Sequence, residues 1–446
     1  MYLAIMGTIK EEVVIMRVVL SGYFGFDNVG DEAILFSIIR ALRKLEPSID
    51  ITVLSNNPAE TAATYGVESV NRWNIGEVRT ALKSADGLIS GGGSLMQDAT
   101  SWKTIPYYSA IIKLAQMARV PVFIYSQGMG PINGSLGKWL VKSVFNKCAG
   151  ITVRDEGSFE LLREIGVRLP VTVVPDPVVG LGGNEFTSAW LDEWLQAQFL
   201  LGVSDEEARD GSVVDAEDTD AGNGDDGVVE HSFDANDAIS VRGEANVESD
   251  FNSESLVSTE VISSSPTYPS YVAVSVRDWP SEIDFKAKVA AALDLLAAQG
   301  LLIMFIPMHG EHDVKASNDV AALMSSVSTI APGDLPIEEK IAVIGGSKLL
   351  IGQRLHSLIF AAIEYIPFIA LSYDPKIDAF ADIVAQPVIG HVERNDWDGE
   401  SLAACAIDIL ENYDAKLESL RSLVDPLQAS AENTAQMALD AFAAGK

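Results

Sequence analysis

From Met16 onward, short β-branched apolar runs alternate with stretches whose apolar residues recur at helical spacing. RVVLSGYFG reads as a strand and turn, and DEAILFSIIRALRKLE as an amphipathic helix. ITVLS, GLIS, VFIYSQG, GITVRD and VTVVPDP repeat the strand pattern, each closing on Gly, Ser, Asp or Pro, so six strands are expected before about Val179. A second series, YVAVSVRD, LLIMFIPMHG, KLLIGQR and PFIALSYD, is interleaved with helical stretches such as DFKAKVAAALDLLAAQG. Strand and helix in alternation are the signature of βαβ units and a parallel sheet.

Two such series predict an α/β protein of two Rossmann-like domains facing a cleft, the GT-B-like arrangement, in which ligands meet the C-terminal ends of both sheets. The expected divisions are an extension over residues 1–15, an N-terminal domain over 16–180, and a linker over 181–270. A C-terminal domain over 271–425 and a bracing helix over 426–446 follow. The composition sharpens the linker. The chain has 446 residues, 31 Lys plus Arg and 63 Asp plus Glu, a formal charge of -32. Ser204 to Ser265 hold 18 Asp/Glu and 2 Lys/Arg, half of that excess, with only Phe233 and Phe251 as aromatics. Such a segment buries too little apolar surface to offset its ordering entropy, and disorder is expected there. The remaining chain is mildly acidic, which argues against nucleic acid as a partner.

Cys148 and Cys405 match no metal or redox spacing and read as buried thiols in a reducing cytoplasm. The apolar patch in MYLAIMGTIKEEVVIM is too short to span a bilayer, and no other run reaches the length a transmembrane helix needs. A cytoplasmic protein is expected.

Chemistry is sought where strands end. The first turn, Gly22 to Glu32, contains a G-x-x-x-x-G core, but Asp31-Glu32 stand where a P-loop needs Lys and Ser/Thr. A carboxylate there repels phosphate, so the turn reads as a binder of neutral hydroxyls through Asn28 and Asp31, or as a glycine turn with acidic helix-start residues. Ser90-Gly91-Gly92-Gly93-Ser94 and Ser126-Gln127-Gly128-Met129-Gly130-Pro131 are two further glycine turns that permit close backbone approach to a ligand. Asp176 in PDP reads as structural. Cations are scarce yet sit at strand ends: Arg154 after ITV, Arg277 after VAVSV, Arg354 after LLIGQ, with His309 and His356 beside them. That set points to a small anion held by charge-assisted contacts. His231 and His391 carry no such context, His309 with His312 lacks a third metal ligand, and the D-x-D at Asp218-Thr219-Asp220 falls in the acidic run where chance matches are common.

GYFGFDNVGDEAIL, SGGGSLMQD, YSQGMGPI, TVRDEGSFELL, PDPV, SVRDW, PMHGEHD, GQRLHSLIFAA and SYDPKIDAF, in this order, resemble the motif series of CsaB-type polysaccharide pyruvyl transferases. The resemblance covers nearly all of Met16 to Val179 and Tyr271 to about Phe380, and the acidic insert departs from it. It implies transfer of a pyruvyl group from phosphoenolpyruvate to two hydroxyls of one sugar, giving a cyclic ketal and phosphate. In the best-known members the acceptor is an N-acetylmannosamine residue of a lipid-linked cell-wall precursor, which would bring peripheral contact with the inner face of the plasma membrane; others pyruvylate galactose or other sugars. The family's donor positions fall on Arg154, Arg354 and His356.

The residue chemistry agrees with that donor, since a carboxylate and a phosphate need two or three cations. Arg154, Arg354, His356, Arg277, Lys376 and His309 are the expected donor-binding set, and Asn28, Asp31, Gly92, Gly93, Ser94 and Gln127 the acceptor-binding set. His356 is expected as general acid or as the group stabilising the departing phosphate, with Asp31 or Asp98 as base. No metal or organic cofactor is called for. A GT-B glycosyltransferase using a nucleotide sugar and a non-catalytic carbohydrate-binding protein remain open alternatives; the oligomeric state is not legible.

Overall fold

The structure, a computed structural model, describes residues 15–99, 101–182, 185–210 and 269–445. The extension before Ile15, the D-x-D at 218–220, His231 and the acidic insert beyond Asp210 lie outside the described residues. The chain divides into two compact units, Met1–Trp194 with Pro269–Lys446, and Leu195–Tyr268. The first unit holds both sheets.

Its N-terminal half alternates β1 (Arg17–Phe24), α1 (Val29–Leu45), β2 (Asp50–Ser55), α2 (Pro58–Tyr65), β3 (Glu68–Asn71), α3 (Ile75–Ser84) and β4 (Gly87–Gly91). There follow α4 (Thr104–Met117), β5 (Val122–Gln127), α5 (Ser135–Phe145), β6 (Gly150–Val153), α6 (Glu156–Ile165), β7 (Thr172–Val173), a 3₁₀ turn (Pro177–Gly180) and α7 (Ala189–Asp210). The second half runs β8 (Tyr271–Ser275), α8 (Phe285–Ala297), β9 (Leu302–Phe305), α9 (Gly310–Ala321), β10 (Thr329–Ile330), α10 (Ile337–Gly345) and β11 (Leu349–Gly352). It closes with α11 (Leu355–Ile363), β12 (Phe368–Ser372), α12 (Pro375–Ile383), β13 (Val388–His391), α13 (Gly399–Glu411) and α14 (Tyr413–Ala444).

Both sheets are parallel, ordered β3-β2-β1-β4-β5-β6-β7 and β10-β9-β8-β11-β12-β13. Helices cover both faces, which is why YVAVS, LLIG and FIALS are apolar without alternation and buried along their whole length. The order reverses between β1 and β4 and between β8 and β11, with Leu20 opposite Ile89 and Val274 opposite Ile351. A doubly wound sheet binds its ligand at that reversal, beyond the C-terminal strand ends. The two-sheet α/β architecture is the expected one.

Three strands escaped the hydrophobic pattern. β3, β10 and β13 are short sheet-edge elements of partly exposed residues. Helix α14 also begins at Tyr413, well before the 426 boundary, and continues through Pro426. It packs on α1, β5, β6 and the 3₁₀ turn from the first half and on α11 and α13 from the second, tying the halves together. Helix α7 reaches Asp210, past the Ser204 start of the segment expected to be unstructured; SDEEARD has enough Glu, Ala and Arg to sustain helical backbone.

Candidate functional site

A cavity of about 470 Å³ lies where the two reversals face each other. The first turns of α1, α11 and α12 all contribute to its wall, so three positive helix ends converge on it.

From the N-terminal half, Asn28 caps α1: its Oδ1 accepts from the Gly30 amide at 3.2 Å, and its Nδ2 donates to Asp31 Oδ2 at 2.6 Å. The adjacent acids diverge. Glu32 accepts from the Gly25 amide at 2.7 Å and from the Tyr65 hydroxyl at 3.0 Å, so it is a structural clamp on the turn. Asp31 faces the cavity, and burial, with Glu32 and Asp176 adding, pushes its carboxyl up to about 7 against Arg154 and Lys376. Gly92 and Gly93 both have left-handed backbone, φ +76° and +65°. A Cβ on Gly92 would lie 1.9 Å from the Ile34 side chain, and one on Gly93 2.7 Å from Asp31 Oδ1, so the turn needs glycine to approach α1 at all. Ser94 Oγ accepts from Arg154 Nη2 at 3.2 Å.

Two of the cavity's arginines, Arg154 and Arg354, are each held by a buried carboxylate. Arg154 Nη1 donates to Asp176 Oδ2 at 3.0 Å, and Asp176, 4% exposed, also caps the 3₁₀ turn through the Val178 amide at 3.1 Å. Arg354 clasps Asp313 with Nε (3.0 Å to Oδ2) and Nη2, and Asp313, 1% exposed, takes a further bond from the Met308 amide at 3.2 Å. The bidentate grip on Arg354 fixes its guanidinium plane and leaves its other edge for the cavity. Arg277 is held by neutral groups: its amide donates to Gln353 at 2.9 Å, and its guanidinium bonds the Tyr373 hydroxyl at 2.8 Å while lying 4.6 Å from that ring.

His356, the second residue of α11, crosses to the other half. A Cβ on Gly30 would sit 2.3 Å from its Nδ1, so the imidazole rests directly on the start of α1. Its Nε2 is buried with no hydrogen-bond partner. Burial holds the ring below the ordinary histidine value, Arg154, Lys376 and Arg354 add to this, and Asp176 only partly opposes it. An imidazole neutral near pH 7 suits proton acceptance, and a carboxyl at about 7 retains a proton to give. Both shifts run against the acid role expected of His356 and the base role expected of Asp31.

The cavity wall includes Asn28, Asp31, Gly93, Ser94, Arg154, Arg277, Arg354, His356 and Lys376 from the expected sets. Gly92 lies behind the wall, pressed on Ile34. Gln127 is fully buried outside it, both side-chain polar atoms without a partner. His309 stands at the start of α9, its ring 5.4 Å from that of His312, outside the wall and held below its ordinary value by burial and Arg354. Asp98 is also outside: its carboxylate takes the Gly134 amide at 2.9 Å, the Asn133 amide at 2.7 Å and Asn133 Nδ2 at 3.1 Å, which hold its pKa below the usual range. Asp98→Ala is expected to keep turnover within about twofold and to lose about 1 kcal/mol of stability, read by paired kinetics and denaturant melts. Asp176, Asp313, Tyr23, Tyr108 and Tyr373 were not read as site groups, although PDPV, PMHGEHD, GYFGF and SYDP contain four of the five; Tyr108 lies in a helix without a motif.

A second cavity, about 530 Å³, borders the other side of the α1 turn and is lined by Asp27, Glu32, Glu60, Glu311, Asp334 and Glu338. Its one cation, Lys340, is spent on the carbonyls of Pro307 (3.1 Å) and Gly333 (3.0 Å). That acidic lining disfavours an anion in the second cavity. Among the described residues no group of three or more His, Cys, Asp and Glu could hold a metal ion, and no helix is long and apolar enough to cross a membrane.

A family model described as polysaccharide pyruvyl transferase matches residues 28–375. No curated protein matches the chain. Among solved structures, it is similar to UDP-GlcNAc 2-epimerase from Neisseria meningitidis bound to UDP-GlcNAc, at TM-score 0.54 and 10% identity over 96% of this chain and 100% of that one. It is also similar to a glycosyltransferase from Rickettsia africae, at TM-score 0.52 and 11% identity over 97% of this chain and 99% of that one. At such identities the likeness is one of fold, the GT-B type.

Proposed function

We propose that this chain, which belongs to the polysaccharide pyruvyl transferase family, moves a pyruvyl group from phosphoenolpyruvate onto two hydroxyls of one sugar. Its motif order supports a CsaB-type member whose acceptor is a lipid-linked precursor of a cell-wall or surface polysaccharide. One observation carries the reading: in a chain of charge -32, Arg154, Arg277, Arg354 and Lys376 share a cavity with a carboxyl held near 7.

Arg154 and Arg354 would take the donor carboxylate and phosphate with the edges their buried aspartates leave open, while Arg277 and Lys376 balance the remaining charge. Protonated Asp31 gives its proton to the C3 methylene, and the first sugar hydroxyl oxygen bonds to C2. That hydroxyl's proton passes to His356 Nε2. The C2–O bond to phosphate then breaks, and the departing phosphate takes the proton from His356. The second hydroxyl closes on C2 and returns a proton to Asp31, so both groups regain their starting state.

The test is incubation with phosphoenolpyruvate and a panel of sugar acceptors, following phosphate release and the gain of a pyruvyl ketal by mass. Both are expected with at least one acceptor. UDP release from UDP-sugars without phosphate release would replace this reading with a glycosyltransferase; turnover of neither donor would leave a binding protein.

A further inference from the structure

The donor cavity continues into an aromatic face that the reaction described above leaves unused. Arg72, directly after β3, is 3% exposed, with Nη1 on the Gly22 carbonyl at 2.9 Å and Nη2 on the Tyr108 hydroxyl at 3.1 Å. Its Nε is buried without a partner. Four rings surround the guanidinium, with centroids 4.6 Å (Tyr107), 5.2 Å (Phe26), 5.2 Å (Trp73) and 5.5 Å (Tyr108) away. No carboxylate among the described residues pairs with it, so its charge is met by ring faces and neutral oxygens.

The hub makes the rings rigid. Trp73 Nε1 donates to Asn56 Oδ1 at 3.0 Å, and the Tyr107 hydroxyl donates to the Arg72 carbonyl at 3.1 Å. Tyr23 and Phe26 stack in parallel, centroids 4.1 Å apart at 7°. Yet the outer rings are open: Trp73 is 59% and Tyr23 42% exposed. A soluble surface rarely fixes bare aromatic rings in place for packing alone. Tyr23 and Tyr108 also line the donor cavity, so the face is continuous with the reacting centre.

We propose that this Arg72-centred aromatic face is the acceptor subsite, on which a pyranose ring of the carbohydrate stacks its C–H face. The proposal rests on the pyruvyl-transfer reading. A pyranose pairs an apolar ring face with a hydroxyl rim, which matches aromatic rings whose edges carry a tyrosine hydroxyl and asparagine amides. Rings already locked lose little entropy on binding. The subsite would orient the two hydroxyls toward His356 and Asp31 and leave the donor's arginines untouched.

The test uses the full chain, phosphoenolpyruvate and the methyl glycosides of N-acetylmannosamine, galactose and glucose, followed by phosphate release. With whichever glycoside reacts, Trp73→Ala is expected to raise acceptor KM about tenfold with phosphoenolpyruvate KM unchanged, and Trp73→Phe to recover most of that loss. Tyr23→Ala should act in the same direction. An unchanged donor KM serves as the check that the variants fold. Turnover with an acceptor KM unaltered by both Ala variants overturns the subsite and leaves the reaction standing. Failure of phosphate release with every glycoside in the wild-type chain overturns the reaction and the subsite together.

Discussion

Asp31→Asn is expected to lower turnover by about 10²–10⁴-fold while making the fold more stable at pH 8. The two effects share one cause. The carboxyl sits in the wall of the first cavity, bonded to Asn28, and burial raises it from 3.8 to about 7. A group raised on folding contributes stability that is fully present below its unfolded value and is lost as the pH rises through its folded value. Between pH 4 and 7 that contribution drains away, and above 7 the fold carries a poorly solvated charge. At full strength that costs about 4 kcal/mol; relaxation around the charge lowers the cost, so the amide should gain about 1–2 kcal/mol, measured by denaturant melts at pH 8. The same titration should appear in catalysis. As the proton donor, Asp31 makes kcat/KM for phosphoenolpyruvate fall above about pH 7, and His356, neutral until the pH drops below its depressed value, supplies the acid limb. An activity that instead rises through pH 7 would assign Asp31 as the base and return the proton-donating role to His356.

Arg354→Ala should lose both substrate and stability, through separable routes. The guanidinium edge facing the cavity is proposed to hold a donor anion, and its removal is expected to raise phosphoenolpyruvate KM by about 100-fold or more. Its other edge holds Asp313, which is 1% exposed, so truncation strands a buried carboxylate at a cost of about 3–5 kcal/mol. Replacing both as Arg354→Met with Asp313→Leu should restore most of the stability and none of the donor affinity. Asp313→Asn alone keeps the guanidinium but loosens its plane, and about a tenfold rise in donor KM with a smaller change in kcat is expected. If the double variant bound donor normally, Arg354 would be a core ion pair and no part of the site.

The expected cations were legible because parallel strands broadcast their ends: an apolar run stops, and the next polar residues stand at the crevice. Arg154, Arg277 and Arg354 follow β6, β8 and β11 in that way. Asp98 lies beyond β4 and Gln127 ends β5, yet one anchors the Asn133-Gly134 loop and the other is sealed beneath the wall. Position after a strand indicates which end of the sheet a residue occupies, whereas the direction of its side chain depends on the local turn. The holders of the arginines were harder to see. Asp176 lies 22 residues after Arg154, and Asp313 lies 41 residues before Arg354, separations that carry no local signal. Arg72 was missed for a related reason: it follows β3, an edge strand without an apolar run, and its meaning comes from rings supplied by α4 and the β1 turn.

Periodicity and turn chemistry are local, so the chain alone specifies the α/β class, the doubling of the sheet and the inventory of charged groups at strand ends. The tertiary structure decided how those groups divide the labour. Protonation depends on burial and on the charges that distant elements bring within a few ångströms, and only packing sets these. Asp31 and Glu32 are neighbours in the chain, yet one faces the arginine-lined cavity near 7 and the other clamps Gly25 and Tyr65. His356 is likewise an ordinary helix-start residue until the fold lays it on Gly30, from the other half of the molecule, and takes water away from its Nε2.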